Sequence, residues 1–323
     1  MALADPEAFG ALTRIHRREL LVHCYRMLGS VLDAEDVVQE TFLRAWRGRH
    51  HYQQDASPRT WLYRIATNTC LTALTRRARR VLPEDVVMPT DELAWLEPYP
   101  DLLLDGIADA APGPEARLDQ RAATELAFVA AIQHLPPRQR AVLLMRDVLG
   151  FSVPEVAAQL DSTLASVNSA HQRARSTLER RRPVGGELPL SRLDPRRRRL
   201  LDQYVASWES GDLDALMTLL TEDVVLSMPP IPEWFAGRRS VRAFFAQAWG
   251  PTGPGPFRLR PTGANGQLAF GLYGRAPDGN GYTPQAIQVL TLEGARIAQL
   301  HGFVRPDLFS VFDLPLRLSG LGT

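Results

Sequence analysis

The chain has 323 residues, a formal net charge of +1 and a 45% share of hydrophobic residues. This length exceeds one ordinary compact domain and predicts two or three. The sequence contains no run of about eighteen apolar residues and opens without a signal-peptide pattern, so we expect a cytoplasmic protein with no membrane partner. Two cysteines, Cys24 and Cys70, lie among apolar residues and no C-x-x-C occurs, which predicts two buried free thiols and no metal site.

The charge is distributed unevenly along the first 182 residues. Residues 1–80 hold 13 Arg against 8 acids, residues 81–120 hold 1 Arg against 10 acids, and residues 121–182 hold 9 Arg against 5 acids. All 37 basic residues are arginine. Two basic segments around one acidic segment predict two nucleic-acid-facing domains joined by an acidic linker.

The first domain, residues 6–81, is predicted to be helical. DAEDVVQETFLRAW begins at Asp33, which we expect to be an N-cap, and continues with an apolar stripe at helical spacing. SPRTWLYRIATNTC follows, with Ser57 as the expected N-cap and Pro58 in the first helical position. Residues 82–119 contain several prolines and no sustained period, which predicts a linker with short helical turns.

The second domain, residues 120–182, ends in two sharply bounded helices. Pro136 and Pro137 precede one helix, Gly150 ends it, and Ser152 with Glu155 forms an expected capping box for the next. A tight turn around Asp161 then leads into the last helix. The short helix, the turn and the long amphipathic helix have helix-turn-helix spacing.

The stretch SVNSAHQRARSTL forms that last helix. Its apolar residues recur every three or four positions: Val167, Ala170, Ala174 and Leu178. Its opposite side carries residue types that pair with base edges and phosphates: Asn168, Ser169, Gln172, Arg173 and Ser176. This pattern predicts a DNA-reading helix. The arginines that follow would contact phosphates, or else form a solvated helix end favoured by the helix dipole.

After a hinge at residues 183–193 the character changes. Residues 194–323 begin with an amphipathic helix pair and continue with alternating segments separated by Gly- and Asn-containing turns, which predicts antiparallel strands. Helices followed by a curled sheet indicate an α+β domain. The closing PDLFSVFDLP, from Pro306, is apolar and is expected to dock on a neighbouring domain.

Three of these segments, in this order, resemble the extracytoplasmic-function (ECF) group of sigma-70-family sigma factors. DAEDVVQETFLRAW resembles the polymerase-binding helix, TWLYRIATNTCLTALTRRARR the −10 promoter segment, and residues 135–178 the −35-reading domain. The resemblance covers residues 6–182. It implies a multidomain protein with two all-α sigma domains, the second with a helix-turn-helix. The acidic linker would be the connector between them, although plain disorder explains its composition equally well.

The resemblance also implies roles for individual residues. Docking on core RNA polymerase, through the β′ clamp with the β flap as a further partner, is assigned to Asp36, Gln39 and Glu40. Binding of the −10 element is assigned to Trp61, Arg64, Asn68, Arg76 and Arg77, where Trp61 is more often a core residue. Binding of the −35 element is assigned to Asn168, Ser169, Gln172, Arg173 and Arg175. The promoter DNA and the polymerase are therefore the implied partners.

Residues 194–323 resemble the SnoaL-like, nuclear-transport-factor-2-like fold, a curved sheet around a cone-shaped cavity. Such a tail is implied to regulate the sigma factor, through a small-molecule or protein ligand. Candidate cavity residues are Tyr204, Asp223, Trp234, Tyr273 and His301. For His301 a core or rim position with its hydrogen bonds satisfied is expected rather than catalysis, and Asp223, in a turn between helix and strand, is expected to be a cap. We therefore expect no catalytic residue and no cofactor.

Two other classes of protein remain open at this point. One is a SnoaL-like isomerase or hydrolase fused to a DNA-binding segment. This class is disfavoured because the tail offers no convincing pair of residues for acid/base catalysis. The other is a helix-turn-helix repressor with a ligand-binding domain, which has no use for a polymerase-docking helix.

Overall fold

The computed structural model describes residues 5–52, 57–80, 96–104, 122–180, 195–250 and 257–319. The chain divides into two compact units. Unit 1 comprises Met1–Met88 with Leu103–Val184, and unit 2 comprises Pro89–Leu102 with Gly185–Thr323. The two predicted DNA-binding segments therefore share unit 1, whereas part of the predicted linker belongs with the C-terminal segment.

Unit 1 is helical over its described residues. Its helices are α1 (Pro6–Leu28), α2 (Val31–Gly48), α3 (Pro58–Arg80), α4 (Leu126–Gln133), α5 (Pro137–Leu143), α6 (Val153–Gln159) and α7 (Leu164–Arg180). Between α5 and α6 the chain makes one π-helical turn, Leu144–Val148. The short α6, the turn and the long α7 confirm the predicted helix-turn-helix.

The caps of these helices explain where they begin. Ser57 accepts a hydrogen bond from the backbone N–H of Thr60, as predicted, and Ser152 with Glu155 forms the predicted capping box. The prediction for α2 was wrong. Its N-cap is Ser30, whose side chain accepts from the N–H of Asp33, so the helix begins at Val31 and Asp33 lies in its first turn.

Two buried arginines join α1 to the segment of unit 1 that precedes the helix-turn-helix, residues 122–143. Arg26, at the end of α1, donates to the Ala123 carbonyl and the Thr124 hydroxyl at 3.0 and 2.9 Å. Arg140, on α5, donates to main-chain carbonyls of both parts, among them that of Met27. Burial lowers the pKa of Arg140 to about 10. Cys24 and Cys70 are buried free thiols, which confirms that prediction.

Unit 2 contains a six-stranded sheet with helices against it. Its strands are β1 (Leu220–Met228), β2 (Ile231–Ala236), β3 (Arg258–Ala264), β4 (Gln267–Arg275), β5 (Tyr282–Glu293) and β6 (Arg296–Phe303), and its helices are α8 (Pro195–Ser210), α9 (Leu213–Leu219) and α10 (Arg238–Ala248). The strand order is β2-β1-β6-β5-β4-β3. The β3–β4, β4–β5 and β5–β6 pairs are antiparallel, and β1 runs parallel to β6.

Aromatic residues dominate the core between the helices and the sheet. Tyr204 and Trp208 of α8 pack against Phe270 of β4 and Phe245 of α10. Both residues of α8 are almost fully buried, and they lie four positions apart, so one face of this helix supplies them. The opposite face of α8 remains in solvent.

The closing segment corrects the expectation that PDLFSVFDLP docks on a neighbouring domain. Pro306–Ser310 forms a 3-10 turn whose Leu308 and Phe309 are fully buried in unit 2. The Phe309 ring meets that of Tyr273, on β4, edge to face at 5.0 Å. The apolar residues of this strip are therefore used inside their own unit, and cutting the chain at Pro306 would remove part of its core.

Candidate nucleic-acid interface

Helix α7 presents its two sides as the sequence predicts. Val167, Ala170 and Ala174 are buried against unit 1, because they recur at three- and four-residue intervals. The solvent side carries Asn168, Ser169, Gln172 and Arg173. The Arg173 guanidinium donates to the Ser169 hydroxyl at 2.5 Å, so these two side chains extend together from successive turns.

A buried carboxylate holds α7 in place, and sequence reasoning missed it. Asp147 is 4% exposed, and its Oδ1 lies 2.9 Å from Nε2 of His171. Its Oδ2 lies 4.0 Å from Nε of Arg175. Arg175, predicted to contact DNA, is thus partly occupied by a tertiary ion pair. Asp147 precedes α7 by more than twenty positions, so no local pattern indicates the contact.

The predicted polymerase-docking residues share one face of α2. Asp36 and Gln39 are exposed, and Glu40 is partly exposed. A hydrogen bond from Arg44, 2.6 Å long, lowers the pKa of Glu40. Leu43 extends the same face and is 51% exposed. Its position seven residues after Asp36 is the signal that could have identified it.

The predicted −10 residues lie on α3, and two of them contact the helix-turn-helix. The Asn68 amide donates to the Gln159 carbonyl at 3.2 Å, and Arg64 pairs with Asp161 at 3.2 Å. Trp61 packs against Tyr52 with ring centroids 5.0 Å apart. Arg76 is exposed, and the side chain of Arg77 lies outside the described residues. In this arrangement the side chains of Asn68 and Arg64 are bonded to residues of the helix-turn-helix.

The five candidate cavity residues of unit 2 do not line one interior. Tyr204 and Tyr273 are buried, and their hydroxyls donate to Gln288 Oε1 and to the Pro315 carbonyl. Trp234 is 57% exposed on β2, at the sheet edge. Asp223 is exposed within β1, which corrects the expectation of a cap in a turn between helix and strand. Both side chains are therefore open to solvent and do not share an interior with the two tyrosines.

His301, on β6, has polar neighbours that do not activate it. Its Nδ1 lies 2.8 Å from the Ser227 hydroxyl and its Nε2 lies 3.1 Å from Gln299 Oε1. Burial lowers the pKa of His301 to about 4, so the ring is neutral at pH 7. A general base works best with a pKa near the working pH and a carboxylate to stabilise its cation. The amide oxygen of Gln299 carries no such charge.

Unit 2 also binds a piece of the predicted acidic linker, which we call the connector segment, residues 96–102. Tyr99 and Asn265 exchange two hydrogen bonds: the Tyr99 N–H donates to Asn265 Oδ1 and the Asn265 N–H donates to the Tyr99 carbonyl, both at 2.8 Å. The Gly266 N–H donates to Asp101 at 2.7 Å. Asn265 and Gly266 form the β3–β4 turn, where both have positive φ.

A buried ion pair adds to this contact. Glu97 is 4% exposed and accepts from Arg305 at 2.8 Å. Arg305 also pairs with Asp307, whose pKa the guanidinium lowers through its hydrogen bond. Tyr99 is fully buried. The connector segment is therefore held by main-chain bonds, a buried ring and a buried carboxylate.

Neither metal ligation nor membrane spanning is indicated by the residues that the structure describes. They contain no group of three or more His, Cys, Asp or Glu side chains that could hold a metal ion. In the same part of the chain, no helix combines the length and the apolar character that crossing a membrane requires.

Comparison with known proteins identifies three family matches along the chain. Residues 12–80 match Sigma-70 region 2, residues 125–178 match Sigma-70 region 4, and residues 201–300 match the SnoaL-like domain. The ECF RNA polymerase sigma factor SigG of Mycobacterium tuberculosis is 42% identical over 317 residues, which are 95% of this chain and 84% of that protein. SigJ of the same organism is 28% identical over 91% of each chain.

A solved structure shares the fold over nearly the whole chain. The crystal structure of the extracytoplasmic-function sigma factor SigJ from Mycobacterium tuberculosis covers 97% of this chain and all of its own, with a TM-score of 0.59 and 24% sequence identity. The predicted order of two sigma regions and a SnoaL-like domain is thus confirmed.

Proposed function

Because the chain belongs to the ECF sigma factors, which bind RNA polymerase and direct promoter-specific initiation, we propose that its unit 2 restrains initiation by holding the connector segment. Polymerase core performs the chemistry, and this chain supplies promoter recognition. Asp36, Gln39 and Glu40, with Leu43 beside them, dock on the β′ clamp, and the helix-turn-helix region meets the β flap. Asn168, Ser169, Gln172 and Arg173 read the −35 element.

The contact of the connector segment with the β3–β4 turn carries this proposal. We infer that the two promoter-binding regions separate to span the −10 and −35 elements, so the chain between them has to extend. The backbone of Tyr99 and the side chain of Glu97 are occupied by Asn265 and Arg305, so they are unavailable to another surface at the same time. A ligand or partner that favours release shifts this balance by its differential affinity for the two states.

The same reasoning applies to the −10 residues of unit 1. Asn68 and Arg64 bind Gln159 and Asp161 of the helix-turn-helix, and the −10 strand would compete for them. We infer that initiation requires α3 to exchange these contacts for DNA. The connector segment lies between the two regions in sequence, so releasing it lengthens the tether that permits this exchange.

Run-off transcription with core polymerase and full-length protein tests the proposal. The test variant is Asn265→Gly with Arg305→Gln. Glycine accepts the positive φ of the turn while removing the amide that holds Tyr99, and the second change leaves Glu97 buried without its cation, which drives the segment out. We expect run-off transcript to rise several-fold, with faster hydrogen exchange in residues 96–102.

A matched control is Asn280→Gly with Arg317→Gln. This control makes the same two changes at a surface ion pair of unit 2, where Arg317 contacts Asp278 and the Asn280 carbonyl. We expect transcription close to wild type. If the test variant releases the connector segment and transcription stays level or falls, the proposal that unit 2 restrains initiation is wrong.

Truncation after Arg182 should change transcription several-fold without removing core binding.

A further inference from the structure

The outer face of α8 carries a cluster of arginines that the proposed function does not use. The helix opens with Pro195 and then four consecutive arginines, 196–199. Arg198 and Arg199 are exposed. Arg199 donates to the Pro195 carbonyl of its own helix at 3.3 Å. Within the described residues, neither guanidinium lies within ion-pair distance of a carboxylate, and Asp202 one turn later is the nearest acid along the helix.

This arrangement opposes the electrostatics of a helix. The N-terminal end of a helix carries a partial positive charge, which favours acidic residues in the first turn and disfavours cations. Helix α8 has no acid in its first turn. Helix α10 also begins with arginines, but there Arg238 pairs with Glu222 at 2.7 Å and Arg242 with Asp214 at 2.6 Å. Among the residues that the structure describes, Arg198 and Arg199 therefore have no ion pair of the kind that Arg238 and Arg242 have.

We propose that Arg198 and Arg199 form a phosphate-binding surface for double-stranded DNA flanking the site read by α7. The inference rests on the proposed function, because it requires a chain that binds promoter DNA. It gives unit 2 a direct contact with DNA, in addition to its hold on the connector segment. Its contribution is independent of base sequence, because the guanidinium groups meet phosphates and not base edges.

The composition of this face favours DNA over a protein partner. Protein interfaces centre on buried apolar or aromatic anchors within a polar rim. The exposed residues of α8 beside the arginines are polar or small, namely Asp202, Gln203 and Ala206. Phosphate binding requires cations and no apolar anchor, since most of its free energy comes from released counterions.

The length of the chain permits both helices to contact one duplex. Helix α7 ends at Arg180 and α8 begins at Pro195. The intervening residues 181–194 can span at most about 50 Å when extended. At 3.4 Å per base pair, this reach corresponds to about 15 base pairs. A duplex with flanks of that length therefore offers phosphates to α8 while α7 occupies its site.

Fluorescence anisotropy with full-length protein tests the surface. The probe is a mixed-sequence duplex of about 45 base pairs, titrated between about 50 and 200 mM salt. For Arg198→Gln with Arg199→Gln we expect the slope of log affinity against log salt to become shallower by about 2, one unit for each lost phosphate contact. Arg239→Gln with Arg296→Gln removes the same charge from exposed positions of unit 2 and should leave the slope within about half a unit.

Three outcomes overturn the inference. The slope of the α8 variant could match wild type, or the control variant could lower it equally, which would indicate a general charge effect. The α8 variant could instead lose binding to core polymerase while its DNA slope is unchanged, which would assign the arginines to an acidic protein surface. In each case Arg173→Ala still weakens DNA binding. If wild type shows no run-off activity and no DNA binding, the proposed function itself has failed.

Discussion

The proposed DNA-reading face of α7 and the connector contact of unit 2 are built in opposite ways. On α7, the side chains from Asn168 to Arg173 lie within two turns of one helix, and their spacing alone puts them on one side. The connector contact joins Tyr99 to Asn265, which are 166 positions apart. One site follows from local periodicity, and the other exists because the chain folds back on itself.

The difference has an energetic consequence. Side chains on an exposed helix face contribute little to folding, so changing them alters binding and leaves stability nearly intact. Side chains that join distant segments are buried and satisfy main-chain groups, so changing them removes folding free energy as well. The following predictions test whether residues of unit 1 divide in this way.

The largest expected loss of binding affinity is for core polymerase. Asp36→Arg with Glu40→Arg reverses two charges on the exposed face of α2, and we expect affinity for core to fall by more than about 100-fold, because like charges across an interface cost several kcal/mol. The circular dichroism spectrum and unfolding midpoint should remain those of wild type. A control pair, Glu7→Arg with Glu179→Arg, makes the same reversal elsewhere on unit 1. Co-purification of the double mutant with core would place the docking surface elsewhere.

The next effect is on stability and concerns a distant contact. Arg140 is 4% exposed and donates to the carbonyls of Ile132, Gln133 and Leu135, besides that of Met27. Arg140→Met keeps the aliphatic volume but removes the guanidinium from these buried carbonyls, of which that of Ile132 still accepts from the Leu135 N–H. We therefore expect the opening free energy of α1 and α4 to fall by about 3–5 kcal/mol. Hydrogen exchange measures this, with β4 and β5 as the unchanged reference.

Arg138 supplies the control for that change. It is exposed and, within the described part of the chain, donates to the Leu160 carbonyl at 2.8 Å and to no other group. Arg138→Met should therefore cost about 1 kcal/mol or less. Equal losses from the two substitutions would contradict the division between local and distant sites.

The smallest effect concerns single base pairs. Gln172→Ala and Arg173→Ala should each reduce discrimination by about 1–3 kcal/mol at one position of the −35 element and leave unfolding unchanged. Binding to duplexes that carry each single-base change gives the measurement. Arg180→Ala should weaken all duplexes alike and lower the salt slope by about one. A uniform loss from Arg173→Ala would make that residue a phosphate contact.

Local sequence by itself determined the helical order of unit 1 and the orientation of α7. Proline, serine and glycine at helix ends act within a few residues, and apolar residues at intervals of three and four choose the buried side without reference to the rest of the chain. The same holds for Leu43, whose offset from Asp36 puts it on the proposed docking face. For α2, both Ser30 and Asp33 are residue types that can be an N-cap. The N-cap is Ser30, because its side chain accepts a hydrogen bond from the Asp33 N–H.

Tertiary structure alone decided the contacts that cross long stretches of chain. Nothing near Asp147 indicates that it holds His171 and Arg175, and the composition of residues 96–102 predicts a linker while their backbone is bound by the β3–β4 turn. The apolar strip after Pro306 packs on β4, through Phe309 and Tyr273, and this contact is likewise not visible in the local sequence. The sequence shows that an apolar side chain needs burial and that a buried charge needs a counter-charge. The residue that provides it depends on which strands become neighbours, and this follows from the free energy of the whole fold.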